Sequence, residues 1–445
     1  MVTAKDGIGN NAKRDSNHLL VCCTREQKGP ARAVLESALA GPTARSRLGQ
    51  RESVVLLAAL MALNAIGIDA MLPALPAIAR QFRVASENDQ QLVIILYMLG
   101  FGVGQLFWGP LGDRFGRRPM LVTGLSLYAL LALGCGFATS FTWLLAGRFA
   151  MGAVAASTRV LVIAMVRDLF EGEAMARVMS LVFMIFMVVP VVAPSLGQAV
   201  LAFAPWQAIF IVLAIYALAI LGWAFVRLPE TLHPEDQRSL DPSVILQGVR
   251  LVVQDRLAIG YTLAGTALFG ALSAYVATMQ QITADVFHAA QLVPLVFAAC
   301  AAPMSAAAFT NSRIVGRFGL RRVGHAGLIA LVAVGALHWA LAVAGQESLG
   351  LFIVLQGVAL VAFALCSSNF GTLAMTNMGH LAGTASSVQG VISTVGGALI
   401  GLVIGRAFDG TVVPYLAGLT LTACAALVIV AVTERGRLLE PLPAG

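Results

Sequence analysis

The sequence predicts an all-α membrane protein of twelve spanning helices arranged as two six-helix repeats. Three observations carry this. The 445-residue chain is 58% hydrophobic and only 11% charged, where a water-soluble domain carries about 25% charged residues. Twelve apolar runs are long enough to cross a bilayer, which takes about 20 residues each. The longest polar connection between runs falls after the sixth, so the core divides into two sets of six, and repeats are sought across such a midpoint.

The chain opens on a polar stretch, residues 1–52, carrying Lys5, Lys13, Arg14, Arg25, Lys28, Arg32, Arg45, Arg47 and Arg51. Its one apolar patch, Leu19 to Cys23, is too short for a signal-peptide core, so it is read as a cytoplasmic tail. The first six runs, within 53–227, lie at 54–79, 90–111, 119–139, 141–166, 175–202 and 206–227. The connection 228–256 follows, with Pro229, Glu230, His233, Pro234, Glu235, Asp236, Arg238 and Asp241. The second six, within 257–433, lie at 257–284, 291–312, 320–344, 349–372, 382–405 and 411–433, and 434–445 is a short tail. Glycines such as Gly100, Gly102, Gly104, Gly396 and Gly397 fit this reading, because small residues let spanning helices pack closely.

Lys and Arg set the orientation. With the N-terminus inside, 24 of the 29 basic residues fall in inside segments and three outside, at Arg80, Arg83 and Arg406; Arg148 and Arg159 lie within the fourth run. The positive-inside rule therefore puts both termini in the cytoplasm, in a multi-pass protein expected in the bacterial inner membrane. The net charge of +7 sits in short loops and not in a basic stripe interleaved with aromatics, which argues against nucleic acid. Cys135, Cys300, Cys366 and Cys424 lie singly in apolar runs and Cys22 and Cys23 in the tail, with no metal-ligand spacing. No disulfide, metal or cofactor is expected. His325, His338 and His380 are scattered, which argues against an enzyme. The partners expected are a small-molecule substrate, protons and the lipid bilayer, with the protein a monomer.

Two loops repeat. The second run ends in Trp108-Gly109-Pro110-Leu111-Gly112-Asp113-Arg114-Phe115-Gly116-Arg117-Arg118-Pro119, and the eighth in Asn311-Ser312-Arg313-Ile314-Val315-Gly316-Arg317-Phe318-Gly319-Leu320-Arg321-Arg322. Both contain Arg-Phe-Gly-x-Arg, at the same loop of each half. The first copy resembles the loop signature of the major facilitator superfamily, G-x-L-[GA]-D-R-x-G-R-R-P. Arg148-Phe149-Ala150-Met151-Gly152 resembles that superfamily's R-x-x-Q-G element, with Met151 in place of Gln. Pro190 to Gln198 resembles the antiporter element G-P-x-x-G-P-x-x-G-G through Pro190, Pro194 and Gly197, with Ala193 and Gln198 in place of two glycines. Asp69-Ala70-Met71-Leu72-Pro73-Ala74-Leu75-Pro76 and Val166-Arg167-Asp168 are similar to the Bcr/CflA drug-resistance branch of proton antiporters. The resemblance covers about 53–433. It implies the major facilitator fold, alternating access, and export of drugs or metabolites in exchange for protons. The departures at Ala193 and Gln198 leave proton-coupled import of a small metabolite as the alternative. The resemblance also implies that Asp113, Arg114, Arg117, Arg118 and Asp168 form an ion-pair latch at the inner gate, although topology alone also explains basic residues there.

The residues inside the runs add their own reading. Asp69 is the one acid deep in a run, about 22 Å from the inner end at 1.5 Å per residue. A charge there costs at least ~2.5 kcal/mol, so it needs a partner or a function. Among apolar neighbours a carboxyl can take up and release a proton near neutral pH, which makes Asp69 the expected coupling site. The structural alternative is capping of backbone loosened near Pro73. Arg148 and Arg159 are eleven residues apart, three helical turns plus about 20°, so they share a face expected to line the substrate cavity. That face would disfavour simple cations. Asn64 and Tyr275 are the further cavity candidates; Gln105, Gln281, Gln356, Asn369 and Gln389 are expected more often in helix–helix hydrogen bonds.

Overall fold

Apolar side chains cannot satisfy a backbone, and lipid offers it no hydrogen bonds, so each run closes its own as a helix. The computed structural model describes residues 49–170, 172–232, 249–378 and 382–440. Expectations for 1–48, for 233–248 with His233, Pro234, Glu235, Asp236, Arg238 and Asp241, for His380 and for 441–445 lie outside the described residues.

The helices of the first half are α1 (Gln50–Asp69), α2 (Leu75–Phe82), α3 (Leu92–Phe115), α4 (Arg117–Gly136), α5 (Phe141–Leu169), α6 (Gly172–Leu201) and α7 (Gln207–Arg227). Those of the second are α8 (Arg256–Gln281), α9 (Val293–Phe318), α10 (Leu320–Val343), α11 (Leu349–Ala374), α12 (Ala382–Arg406) and α13 (Val413–Thr433). α1 and α2 together make the first span. Among the described residues, 11 segments have the length and hydropathy to cross a membrane, and Val189–Leu201 of α6 is a shorter apolar stretch. With α6, a helix of 30 residues, each predicted run has its helix.

The local chemistry that bounds these helices is itself repeated. Gly116 and Gly319, with φ of 99° and 84°, make the turns from α3 to α4 and from α9 to α10; that backbone region favours glycine. Ser140 Oγ caps α5 by accepting from the Trp143 N–H at 3.2 Å, and Ser348 Oγ caps α11 by accepting from the Leu351 N–H at 3.3 Å. Each cap satisfies one backbone donor left orphaned at a helix start.

Packing follows the same two-fold pattern. In the first half α3 packs on α5, α1 on α6 and α4 on α7; in the second α9 packs on α11, α8 on α12 and α10 on α13. Between halves α6 meets α9 and α12 meets α3, again an exchanged pair. The first span departs from a straight helix. α1 ends at Asp69, a single 3-10 turn runs over Leu72–Ala74 with Pro73 in its first turn, and α2 begins at Leu75 with Pro76 in its first turn. Two prolines that lack a backbone N–H keep the α-helical ladder from continuing through this stretch.

Candidate functional site

Asp69 stands at that break, 4% exposed, and makes no side-chain hydrogen bond or ion pair among the described residues. Asp69 closes α1 just before the 3-10 turn Leu72–Ala74, which packs against α6 of the first half and α8 of the second. It therefore lies toward the junction of the halves. Gly197 of α6 packs against the break itself: a Cβ there would overlap the Ala70 carbonyl and crowd Pro73. Pro190 and Pro194 lie inside the same helix, upstream of this contact. The three residues of the antiporter-like element are thus on the helix that backs the acid. Asn64, one helical turn before Asp69 and a residue further, is also buried, and its Oδ1 has no hydrogen-bond partner among the described residues.

The two arginines of α5 part company, against the expectation of a shared cavity face. Arg148 is fully buried. Its Nε donates to the Val93 carbonyl at 2.9 Å and its Nη2 to the Gly67 carbonyl at 3.0 Å. The guanidinium lies 4.3 Å from the Tyr97 ring centroid and 5.9 Å from that of Phe210. Arg148 thus uses Nε and Nη2 to tie α1 and α3 to α5 inside the first half, while its buried Nη1 has no hydrogen-bond partner among the described residues and the aromatic faces screen its charge. Spacing alone placed it in the cavity because spacing does not tell which neighbour a helix face meets. Arg159 is part-exposed, with its guanidinium 5.9 Å from the Phe101 ring, and makes no hydrogen bond or ion pair among the described residues. Tyr275 points into the second half, stacked on Phe297 at 5.4 Å and 6.5 Å from Tyr415, and is 1% exposed.

At the end of the bundle marked by Asp113, the charged residues form one connected cluster. Arg117 pairs with Asp113, and its Nε donates to Asp168 Oδ2 at 3.3 Å. Thr231 Oγ1 also donates to that Asp168 oxygen, at 3.1 Å. Glu230 caps the start of α4, accepting from the Arg117 N–H at 2.9 Å and the Arg118 N–H at 3.2 Å. Arg118 Nη2 donates to the Phe225 carbonyl at 2.6 Å, whereas Arg114 is exposed. Every partner lies in the first half or at the start of the connection that follows it: among the described residues this cluster makes no bond to the second half.

Sequence reasoning did not single out Glu230 for this role. A signal was present. The second half places Glu434 at the matching point after its last helix, where it pairs with Arg321 and accepts from Tyr261. An acid that follows the last helix of each half and binds the start of the helix after the repeated turn is a repeat feature in its own right.

The opposite end holds most of the side-chain bonds that join the halves among the described residues. Asn88 Nδ2 donates to the Phe408 carbonyl at 2.8 Å and the Arg406 carbonyl at 3.2 Å. Gln91 Nε2 donates to Gln281 Oε1 and to the Gly405 carbonyl, and Gln281 Nε2 donates back to Asn88 Oδ1 at 3.1 Å. Asp89 faces Arg406 at 3.6 Å. Midway along the molecule Gln105 Nε2 donates to Thr394 Oγ1 at 3.2 Å across the halves, and toward the C-terminal ends of α9 and α11 Asn369 Nδ2 donates to Asn311 Oδ1 at 2.9 Å within the second half. Gln105, Gln281 and Asn369 are therefore helix-to-helix ties, as their residue type suggested.

The fold is that of a known class of carrier. The human organic anion transporter MFSD10 (TETRAN) superposes with a TM-score of 0.64 over 88% of this chain and 100% of its own, at 19% identity, a likeness of fold alone. A bicyclomycin resistance protein homolog from Haemophilus influenzae is 30% identical over 390 residues, 85% of this chain and 94% of the relative. An uncharacterized MFS-type transporter, YdgK, from Bacillus subtilis is 31% identical over 394 residues, 86% of this chain and 95% of the relative. The multidrug resistance protein MdtL of Escherichia coli O157:H7 is 36% identical over 173 residues, 39% of this chain and 44% of its own length. A family model described as the Major Facilitator Superfamily matches residues 57–401, a stretch that takes in most of both repeats, the Asp69 break and the Asp113 loop. This multi-pass membrane protein is a transporter and belongs to the Major Facilitator Superfamily.

Proposed function

We propose that the protein exports small molecules, drugs or metabolites, across the bacterial inner membrane in exchange for protons, by alternating access. The observation that carries this is the buried, unpaired Asp69 carboxyl at a break in the first span that is backed by Gly197 and packed against helices of both halves. A carboxyl in that position can be protonated from one side and deprotonated from the other while the helix around it is free to reorganise. The drug-resistance names of the bacterial relatives support outward transport, and the Lys and Arg distribution supports both termini in the cytoplasm. The protein acts as a monomer. The test is growth of a pump-deficient bacterium expressing the protein across a compound panel. It is followed by transport of a hit into inverted membrane vesicles, where an acid interior should drive uptake. Uptake driven instead by an acid exterior would identify proton–substrate symport and overturn the exchange reading.

The charged cluster and the amide clasp have separate work in this scheme. Asp113, Arg117 and Asp168 lock α3, α4 and α5 together, so that the cytoplasmic end of the first half moves as one body; Asn88 and Gln91 close the far end against the second half. Asp113→Asn is expected to slow interconversion between the inward- and outward-open states more than it weakens substrate binding. Asn88→Ala is expected to loosen the far end. Spin labels at Arg83 and Asp409, measured by electron–electron resonance, should gain a population at longer distance. A weakened affinity with unchanged switching in the first variant, or an unchanged distance distribution in the second, contradicts the assignment.

A further inference from the structure

The clasp closes only one edge of its end of the molecule. Along the other edge, between α2, the end of α6, the end of α8 and the start of α9, lies a crevice of about 670 Å³. Ligand pockets typically enclose roughly 300–1,000 Å³, so its size suits a small molecule. Its polar lining is Arg80, Gln81, Gln198, Gln280, Gln291 and Trp206. No acidic residue lines it among the described residues. Arg80 is exposed, and its Nε donates to the Pro76 carbonyl at 3.3 Å, which steadies the side chain and leaves its terminal nitrogens for another partner. Gln81 Oε1 accepts from Trp206 Nε1 at 2.7 Å and from Gln207 Nε2 at 3.3 Å, so that amide is committed to the wall. Gln280 is not. It is 4% exposed, and its Oε1 has no hydrogen-bond partner among the described residues. A buried acceptor left unpaired is destabilising, and a ligand that donates to it removes that cost.

We propose that this crevice is a binding site for small polar monoanions that carry both a hydrogen-bond donor and a carboxylate, such as amide-bearing or hydroxylated organic acids. Arg80 is the one charge in the wall and pairs with the carboxylate, in the forked geometry that guanidinium offers. Gln280 accepts from the ligand's N–H or O–H. Gln198 and Gln291 add neutral donors and acceptors that tolerate variation in the rest of the molecule. A permanent cation meets Arg80 with no acid in the wall to offset it, and is rejected. The charge preference thus arises at Arg80, not at Arg148, which is buried inside the first half and does not line the crevice. The role of the site rests on the transport reading above; its test does not.

The test is binding to the full-length protein in nanodiscs of zwitterionic lipid, by calorimetry, with three matched probes: N-benzoylglycine, its neutral carboxamide, and its trimethylammonium analogue. The acid should bind most tightly, roughly tenfold over the amide for one charge-assisted bond, since 1.4 kcal/mol is tenfold, and the cation should not bind measurably. Arg80→Gln, a change at an exposed position, should bring the acid down to the amide while leaving the amide unchanged. Gln280→Leu should weaken acid and amide alike. Binding of the acid by Arg80→Gln at wild-type strength, or of the cation at the strength of the acid, overturns the proposal. A lipid-headgroup site would show as loss of acid binding when phosphatidylglycerol is included in the nanodisc, and that result also overturns it. Because binding is read without transport, failure here leaves the export reading standing, and failure of proton-driven export leaves this site standing.

Discussion

Asp69→Asn is expected to reduce proton-driven transport to the background of membranes lacking the protein, while expression and insertion persist. The substitution keeps the volume and polarity of the side chain and removes only its ability to exchange a proton. Insertion should if anything improve, because a charge in mid-membrane costs at least ~2.5 kcal/mol on the insertion scale and asparagine carries none. The acids of the two loop clusters are already engaged. Glu434 is paired with Arg321, and Asp113 and Asp168 are paired with Arg117. Glu230 holds the start of α4. Two measurements separate coupling from general damage. Substrate accumulation driven by an imposed pH gradient should vanish in the variant. Gradient-independent exchange of labelled for unlabelled substrate should survive, since the isosteric amide leaves both halves and the break between α1 and α2 in place. Accumulation at the wild-type rate in the variant would assign coupling to another residue; loss of exchange as well would make Asp69 a structural residue of the break.

The spans, the repeat and the family were legible because each rests on a pattern that runs along the chain. Apolar length gives a helix in lipid whatever its neighbours are, and Arg-Phe-Gly-x-Arg marks the same turn twice because both turns need a glycine with positive φ at Gly116 and Gly319. Asp69 was legible too, since one acid in a long apolar run stands out by its cost. What spacing could not reveal was the partner of each helix face. Arg148 and Arg159 share a face of α5, yet the upper part of that face is covered by Tyr97 and the Gly67 and Val93 carbonyls, while the lower part is left part-exposed. The clasp was hidden for a different reason. Asn88 and Gln91 sit in a short polar turn, Glu87–Gln91, that reads as an ordinary loop. Its value appears only when Phe408 and Gln281, far along the sequence, are brought beside it.

Gly152→Val is expected to prevent the protein from reaching the membrane in a folded form, an effect as large as that of Asp69→Asn but on a different link of the chain. α3 and α5 are packed backbone to backbone. A Cβ on Gly152 would penetrate the Tyr97 carbonyl; one on Gly104 would penetrate the Ala153 carbonyl, and one on Gly100 the Phe149 carbonyl. These obstacles are main-chain atoms inside helices, so no side-chain rotation clears them. Small residues permit this approach, and in lipid close packing is a main source of helix association. Forcing the helices apart has a second cost. Arg148, four residues before Gly152, reaches the Val93 carbonyl of α3 at 2.9 Å and the Gly67 carbonyl of α1 at 3.0 Å. A shift of an ångström would stretch both bonds and strand a buried guanidinium. Overpacking alone costs about 1–3 kcal/mol, and a partly unpaired buried charge adds more. Gly134→Ala in α4 is the matched control, since nothing lies within 4 Å of a Cβ there and alanine is the better helix former by roughly 0.5–1 kcal/mol. Purified yield, monodispersity and thermal midpoint in detergent should fall steeply for Gly152→Val and hold or rise for Gly134→Ala. A folded Gly152→Val protein with an unchanged midpoint would mean that the α3–α5 contact is looser than its glycines require.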